Sequence, residues 1–199
     1  MKIPYINNTH RHFFDLLWGM TEKELKARYK HMVFGFLWVI VNPLLQMLVI
    51  GFVFRLFIKE PIPNYYFYLF SGLLVWNFFT LSLTKVTPSI VYERALIKKA
   101  KFPHSVIPLS IILSNEINML IAFILLSVPV VVSRTSTLPR MPYFLFALVL
   151  LTSFTTGLSL LTSALNVRFR DVNFFVQALL IMWFYATPIV YSISVVPYD

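Results

Sequence analysis

Val33–Phe54 reads VFGFLWVIVNPLLQMLVIGFVF, 22 residues without a charge. As a helix at ~1.5 Å per residue it is about 33 Å long, enough to cross a hydrocarbon core of about 30 Å. Four more apolar runs follow: Tyr65–Thr84, Val106–Ser133 with Glu116 as its interior charge, Met141–Val167, and Val172–Tyr198, interrupted by Pro188. A transmembrane β-barrel would alternate polar and apolar residues in segments of about ten. These runs do not alternate. The sequence predicts an all-α, polytopic membrane helix bundle with five spanning helices, near 33–57, 65–86, 106–132, 142–166 and 172–187. Residues 33–199 form the membrane domain, and residues 1–32 precede it.

Composition supports the same solvent. Of 199 residues, 58% are hydrophobic, 17% aromatic and only 13% charged, with a mean hydropathy of +0.76. A soluble domain is nearer a quarter charged, and a single small core cannot hide so much apolar surface. The lack of cysteine excludes disulfides, iron–sulfur clusters and thiolate zinc sites.

The first 32 residues hold six Lys/Arg but no short apolar core with a small-residue cleavage site, so they do not read as a signal peptide. They read as two helices. In the first, Phe13, Leu16, Leu17 and Met20 fall at i, i+3, i+4 and i+7, with Arg11, His12 and Asp15 opposite. That is an amphipathic helix lying at the membrane interface, or one packed on the protein itself. The second helix is expected to start at the capping box Thr21-Glu22-Lys23-Glu24. His10 and His12 lack supporting acids and read as polar-face residues, not metal ligands.

Charge sets the orientation. Lys2, Arg11, Lys23, Lys26, Arg28 and Lys30 precede the first span. Lys85, Arg94, Lys98, Lys99 and Lys101 lie between spans two and three, and Arg168 and Arg170 between four and five. These thirteen share one side, against four on the other: Arg55, Lys59, Arg134 and Arg140. The positive-inside rule puts the N-terminus in the cytoplasm. The net charge of +9 is thus topological and calls for no nucleic-acid partner.

The five glycines form no phosphate cradle, and there is no Gly-Lys-Ser/Thr. No ATP site and no catalytic set are read in this chain. The cytoplasmic segment near 88–101 is expected to be a short surface helix, capped by Thr87-Pro88 and closed by Lys98, Lys99 and Lys101 before Phe102-Pro103. Its charges and apolar knobs suit docking of a partner, or binding of anionic membrane lipid. Within the spans, Asn42 and Gln46 stand at i, i+4 beside Pro43. Glu116, flanked by Asn115 and Asn118, lies near mid-bilayer. Interhelical hydrogen bonding is its first reading, with a proton relay or substrate contact beside it. Ser153, Gly157, Ser159 and Ser163 form two small-x-x-x-small pairs, read as close helix packing. Trp38, Trp76, Phe78, Phe79, Trp183, Phe184 and Tyr185 suit interfacial belts. Some suit a sugar path, since sugar C–H faces pack on aromatic rings.

Several of these stretches resemble one family. They are Tyr29-Lys30 through Gly35-Phe36-Leu37-Trp38 to Asn42-Pro43, and Ser71-Gly72-Leu73-Leu74-Val75-Trp76-Asn77-Phe78-Phe79. Leu96-Ile97-Lys98-Lys99 with Phe102-Pro103 and Ile107-Pro108-Leu109 follows, then Ala164 to Val172, and Pro188 with Tyr191. Their order and spacing are similar to the permeases of polysaccharide ABC exporters, which move O-antigen, capsule or teichoic acid. The resemblance implies a permease homodimer in the bacterial cytoplasmic (inner) membrane, carrying a lipid-linked glycan. ATP and Mg would be bound by separate ABC ATPase subunits. It implies ATPase coupling through Ser89, Tyr92, Glu93, Arg94, Leu96, Ile97, Lys98 and Lys99, and through Arg168, Arg170 and Asp171. Trp38, Asn42, Gln46, Trp76, Asn77, Phe78, Glu116, Trp183 and Tyr185 are substrate-path candidates, and Pro188 and Tyr191 outer-gate candidates. Permeases for another lipid or a drug, or a truncated and non-functional permease, are the alternatives. Family members usually have six spans, so a chain ending at Asp199 is expected to be truncated at its C-terminus relative to them.

Overall fold

The computed structural model describes residues 5–30, 37–57, 64–99, 102–133 and 141–191. Every regular element among them is a helix. The long ones are α1 (Tyr5–Tyr29), α2 (Trp38–Phe57), α3 (Tyr65–Val86), α6 (Val106–Ser133), α7 (Met141–Arg168) and α8 (Val172–Ala186). Two short turns, α4 (Ser89–Tyr92) and α5 (Arg94–Lys99), lie between α3 and α6. In lipid each backbone N–H and C=O must be satisfied within its own segment, so uninterrupted apolar runs become helices. Each of the five apolar runs carries one.

Three stretches are long and apolar enough to cross a membrane: Tyr65–Tyr92, Val106–Leu125 and Pro142–Arg168. α2 and α8 are shorter apolar helices. At ~1.5 Å per residue α8 reaches about 22 Å. It closes at Thr187, whose extended ψ of 133° is the conformation that a following proline imposes.

α3 is the central helix, packing on α2, α6, α7 and α8. Leu69, Phe70, Leu73, Leu74, Phe78, Phe79, Leu83 and Val86 are all buried along it. A main core forms where Phe70, Leu74, Phe78 and Val86 meet Ile107, Ile111, Ile112, Met119 and Phe123 of α6. On the α8 side Phe79 takes the edge of Trp183 at 5.3 Å and stacks on Phe154 of α7 at 6.0 Å. Two glycines permit close approach: a Cβ on Gly51 would meet Tyr66 at 2.7 Å, and one on Gly72 would meet Ile189 at 3.1 Å.

Three local expectations are corrected. The N-terminal segment is one helix, not two. Thr21 is buried in its interior and its hydroxyl donates to the Leu17 carbonyl at 2.7 Å, so it caps nothing. Packing of α1 along α6 carries the helix through the local start signal. The expected apolar stripe is the half-buried face, with Met20 against the main core, while Phe14 and Trp18 are exposed. Second, Thr87 does not begin a new helix. It is helical (φ −50°, ψ −52°), and its hydroxyl donates to Thr162 of α7 at 2.9 Å. The segment therefore continues α3 through Pro88 and breaks at Glu93 (φ −89°, ψ 20°) into two turns; residues 100–101 lie outside the described residues. Third, only one small-residue pair packs. Ser159 and Ser163 are buried, but Ser153 is exposed and nothing lies within 4 Å of a Cβ built on Gly157.

Candidate functional site: a polar seam along the central helix

Apolar helices at membrane depth have little reason to carry polar side chains, which cost free energy in hydrocarbon. α3 nevertheless carries Asn77, Thr80 and Thr84 at i, i+3 and i+7, one face of a helix, followed by Lys85. Three cavities open along this face. The first, of about 410 Å³, lies between α1, α2, α3 and α6. Its wall includes Arg28, Tyr29, Trp38, Asn42, Gln46, Asn77, Thr80, Lys85, Asn115 and Asn118. The second, of about 480 Å³, shares Gln46, Asn77 and Thr80 and adds Trp76, Gln177 and Tyr185 on the α8 side. The third, of about 330 Å³, runs from Thr84 and Lys85 to Ser89, Tyr92 and Glu93, with Glu24 of α1 on its wall. Together they make a continuous polar seam from the α4 turn to the middle of α2.

The seam is tied by named bonds. Asn77 donates its amide to Gln46 Oε1 at 3.0 Å, linking α3 to α2. Arg28 Nη2 donates to Asn115 Oδ1, and Asn115 Nδ2 donates to Ser82 Oγ at 3.2 Å, linking α1, α6 and α3 in one chain. Tyr29 donates to Asn118 Oδ1 at 3.0 Å. Burial raises the Tyr29 hydroxyl above its ordinary pKa, against the opposing pull of the Arg28 cation, so it stays a donor at neutral pH. Asn115 is nine residues beyond Val106, about 14 Å along α6.

Of the substrate-path candidates, Trp38, Asn42, Gln46, Asn77 and Phe78 line the first cavity, and Gln46, Trp76, Asn77 and Tyr185 the second. Trp183 stands in the aromatic cluster with Phe79 and Phe154. Glu116 lines none of these cavities. Its Oε1 accepts the Thr152 hydroxyl at 2.9 Å, an interhelical bond from α7 to α6. Its neighbours Asn115 and Asn118, i and i+3 on the other face, are the ones that reach the seam. Sequence reading missed Arg28, Thr80 and Lys85 as site residues. The signal was available in part: Thr80 continues the Asn77 face of α3 at i+3.

The coupling candidates divide by exposure. Tyr92 is 76% exposed, and Arg94, Lys98 and Lys99 are also exposed. Ser89 is buried and donates its hydroxyl to the Val86 carbonyl at 2.7 Å. Leu96 is half-buried, and Ile97 packs on the chain's own main core with Phe102. Glu93 pairs with Lys23 of α1 at 3.4 Å, a tie between the N-terminal helix and this segment that no sequence spacing announced. At the α7–α8 corner Arg168, Arg170 and Asp171 are exposed, with the Arg168 guanidinium 5.5 Å from the centre of the Phe169 ring.

Pro188 and Tyr191 belong to a latch at the opposite end. Tyr68 donates its hydroxyl to the carbonyls of Pro188 and Tyr191, and Tyr65 donates to the Val190 carbonyl at 3.0 Å. Tyr191 in turn donates to the Tyr185 carbonyl at 3.1 Å. Ile189 and Val190 are buried beneath, against Leu69 and Leu73.

Residues 15–198 match the family described as ABC-2 type transporter. Over 195 residues the chain is 37% identical to a Klebsiella pneumoniae protein named O-antigen export system permease protein RfbA, covering 94% of this chain and 72% of that one. A Myxococcus xanthus protein of the same name is 37% identical over 186 residues, covering 91% of this chain and 70% of its own length.

Proposed function

The chain belongs to the ABC-2 type transporter family, and from that premise we propose that it is the permease of an exporter for lipid-linked, O-antigen-like polysaccharide. Separate ABC ATPase subunits bind ATP and Mg, and a second copy of the permease closes the open side of the seam. The complex sits in the bacterial cytoplasmic membrane with the N-terminus and the Ser89–Lys99 segment inside.

The seam along α3 carries this reading. Its amides, Gln46, Asn77 and Gln177, suit hydroxyl-rich ligands, and Trp76 and Tyr185 offer ring faces to sugar C–H surfaces. The names of the two relatives support the same substrate class. Coupling follows from continuity. α4 extends the helix that carries Asn77, Thr80 and Thr84, and Thr87 bonds that junction to α7. An ATPase pressing on Tyr92 and Arg94 moves α3 as a lever, and Lys23–Glu93 carries α1 with it. Exposed anchors of this kind dominate an interface, whereas rim changes cost little.

The test places Tyr92→Ala with Arg94→Glu in the complete transporter and measures ATPase co-purification and surface glycan. Loss of both, with normal membrane insertion, is expected. Normal recovery and normal glycan would overturn the coupling assignment. Normal ATPase recovery in the parent protein, with surface glycan unaffected by deleting the permease, would point to a different lipid or drug substrate.

A further inference from the structure

The buried face of α7 is polar and only partly used. Thr155, Ser159, Thr162, Ser163 and Asn166 fall at i, i+4, i+7, i+8 and i+11, one stripe of a helix. All five are buried, Thr155, Ser159 and Ser163 completely. One rung of the stripe is engaged: the Thr87 hydroxyl donates to Thr162 Oγ1 at 2.9 Å, and Thr162 donates in turn to the Ser159 carbonyl at 3.1 Å. The other rungs are idle. Thr155 Oγ1, Ser159 Oγ, Ser163 Oγ and Asn166 Oδ1 are buried with no hydrogen-bond partner among the described residues. None of the five residues borders the seam cavities.

Buried polar groups are almost always paired, so a row of orphans around one engaged rung needs a reason. Close packing supplies none, because alanine and glycine pack as closely without the cost of desolvating a hydroxyl. The spacing supplies one. Phe79 stacks on Phe154 and Thr87 bonds Thr162, the same sequence offset twice, so α3 and α7 run parallel and in register. Ser159 lies three residues before Thr162, about 4.5 Å along α7, and Asn166 four residues after it, about 6 Å. An axial slip of about one turn therefore takes Thr87 from one rung to the next and re-forms its bond. Thr162 is not left unpaired by the slip, since its own hydroxyl is held by the Ser159 carbonyl. α7 is suited to slipping. It is the least buried of the three long spans, Val149, Leu150, Leu161 and Leu165 on it are exposed, and its stripe lacks the large knobs that lock ridges into grooves. The Phe79–Phe154 stack, with 16° between the planes, slides without being lifted apart. We propose that α7 and the α3–α4 helix form a one-turn ratchet, in which Thr87 passes from Thr162 to Ser159 as the α4 end is pushed outward. Switching between two packed arrangements one turn apart needs only that both be bonded, and here both are. The outward push rests on the export reading above; the alternative rungs rest on α3 and α7 alone.

The chain has no native cysteine, so introduced pairs report alone within it. The full chain is co-purified with its ATPase, placed in nanodiscs and oxidised, and disulfides are read by peptide mass spectrometry. A disulfide needs Cα atoms within about 7 Å, so the yield favours whichever rung faces position 87. Without nucleotide, Thr87→Cys with Thr162→Cys is expected to give the dominant pair. Trapping the ATP-bound state should lower that yield about threefold and raise that of Thr87→Cys with Ser159→Cys. Leu161→Cys, on the exposed side of α7, should stay unlinked in both states. Yields unmoved by trapping in a preparation that hydrolyses ATP, a gain at Asn166→Cys instead, or equal linkage to Leu161→Cys would overturn the proposal. Ser159→Ala gives a second readout. It deletes a buried, unpaired hydroxyl, so the thermal midpoint should hold or rise while surface glycan falls severalfold. A lower midpoint with normal glycan would make Ser159 merely structural and overturn the ratchet. A preparation in which no ATPase co-purifies breaks the export reading without deciding the ratchet, which the isolated permease then decides. There the disulfide between positions 87 and 159 should still form, more slowly than that between 87 and 162, and its absence would overturn the ratchet.

Discussion

α6 presents two polar faces within four residues, and they are built on opposite principles. On one, Glu116 accepts a single hydroxyl from Thr152 of α7 and borders none of the seam cavities. On the other, Asn115 and Asn118 bind Arg28, Tyr29 and Ser82 and still leave donors over in a cavity of about 410 Å³. The charged residue, the more conspicuous in the sequence, resolves into packing. The two neutral amides tie three helices together along the wall of one cavity. At membrane depth a polar residue is best judged by its unused hydrogen-bonding capacity, because formal charge alone does not separate glue from a binding group.

The largest effect is expected at the centre of the second face. Asn115→Leu removes the acceptor for the Arg28 guanidinium and the donor to buried Ser82 at once. Leaving a buried charged donor unpaired costs about 2–4 kcal/mol. The thermal midpoint of the detergent-solubilised protein should fall clearly, with α1 becoming protease-sensitive. A midpoint within error of the parent would show that α1 is held by its apolar stripe alone.

How much of this was legible before the fold was known differs by level. The five apolar helices were readable because the bilayer forces each segment to satisfy its own backbone, so composition decides. The Pro188 stop was readable for an equally local reason. The seam was legible only along single helices, as Asn42 with Gln46, or Asn115 with Asn118. Their convergence with Arg28 and Lys85 needs four helices in register, and no spacing within one helix encodes that. Thr21 shows the reverse error: a strong local cap signal was overridden by packing along α6.

A matched pair of conservative changes sharpens the contrast. Tyr29→Phe deletes the donor to Asn118, and Thr152→Val deletes the donor to Glu116. Thr152→Val removes one hydrogen bond and should cost about 1 kcal/mol. Tyr29→Phe also removes the hydroxyl's hydrogen bond with Arg28 and should cost more. Their functional consequences should part. Tyr29→Phe leaves Asn118 without its partner in the wall of the first cavity, so surface glycan should fall. Thr152 borders none of the seam cavities, and Thr152→Val should leave surface glycan unchanged. Equal effects on surface glycan would dissolve the distinction between the two faces.

A smaller effect is expected where α1 meets the segment after α3. Lys23 and Glu93 are both substantially exposed, and such pairs are worth about 0–1 kcal/mol. Lys23→Glu and Glu93→Lys should each lower coupled transport slightly, and the charge-swapped double variant should recover it. A double-mutant cycle on glycan export at low and high salt measures this, with the coupling shrinking as salt rises. No recovery in the swap would mean that Glu93 acts on something other than α1.

The smallest effect is expected for Glu116→Gln. Glutamine keeps the shape of the side chain and a carbonyl oxygen in position to accept the Thr152 hydroxyl. The interhelical bond survives, and such bonds average only about 0.6 kcal/mol within membranes. The amide also brings no charge to be buried at this depth. Stability should therefore shift by no more than about 0.5 kcal/mol. Protein level, ATPase recovery and surface glycan should remain near those of the parent. Abolished export at unchanged protein level would overturn the packing account, because a hydrogen-bonding role is preserved by the amide and a proton relay is not.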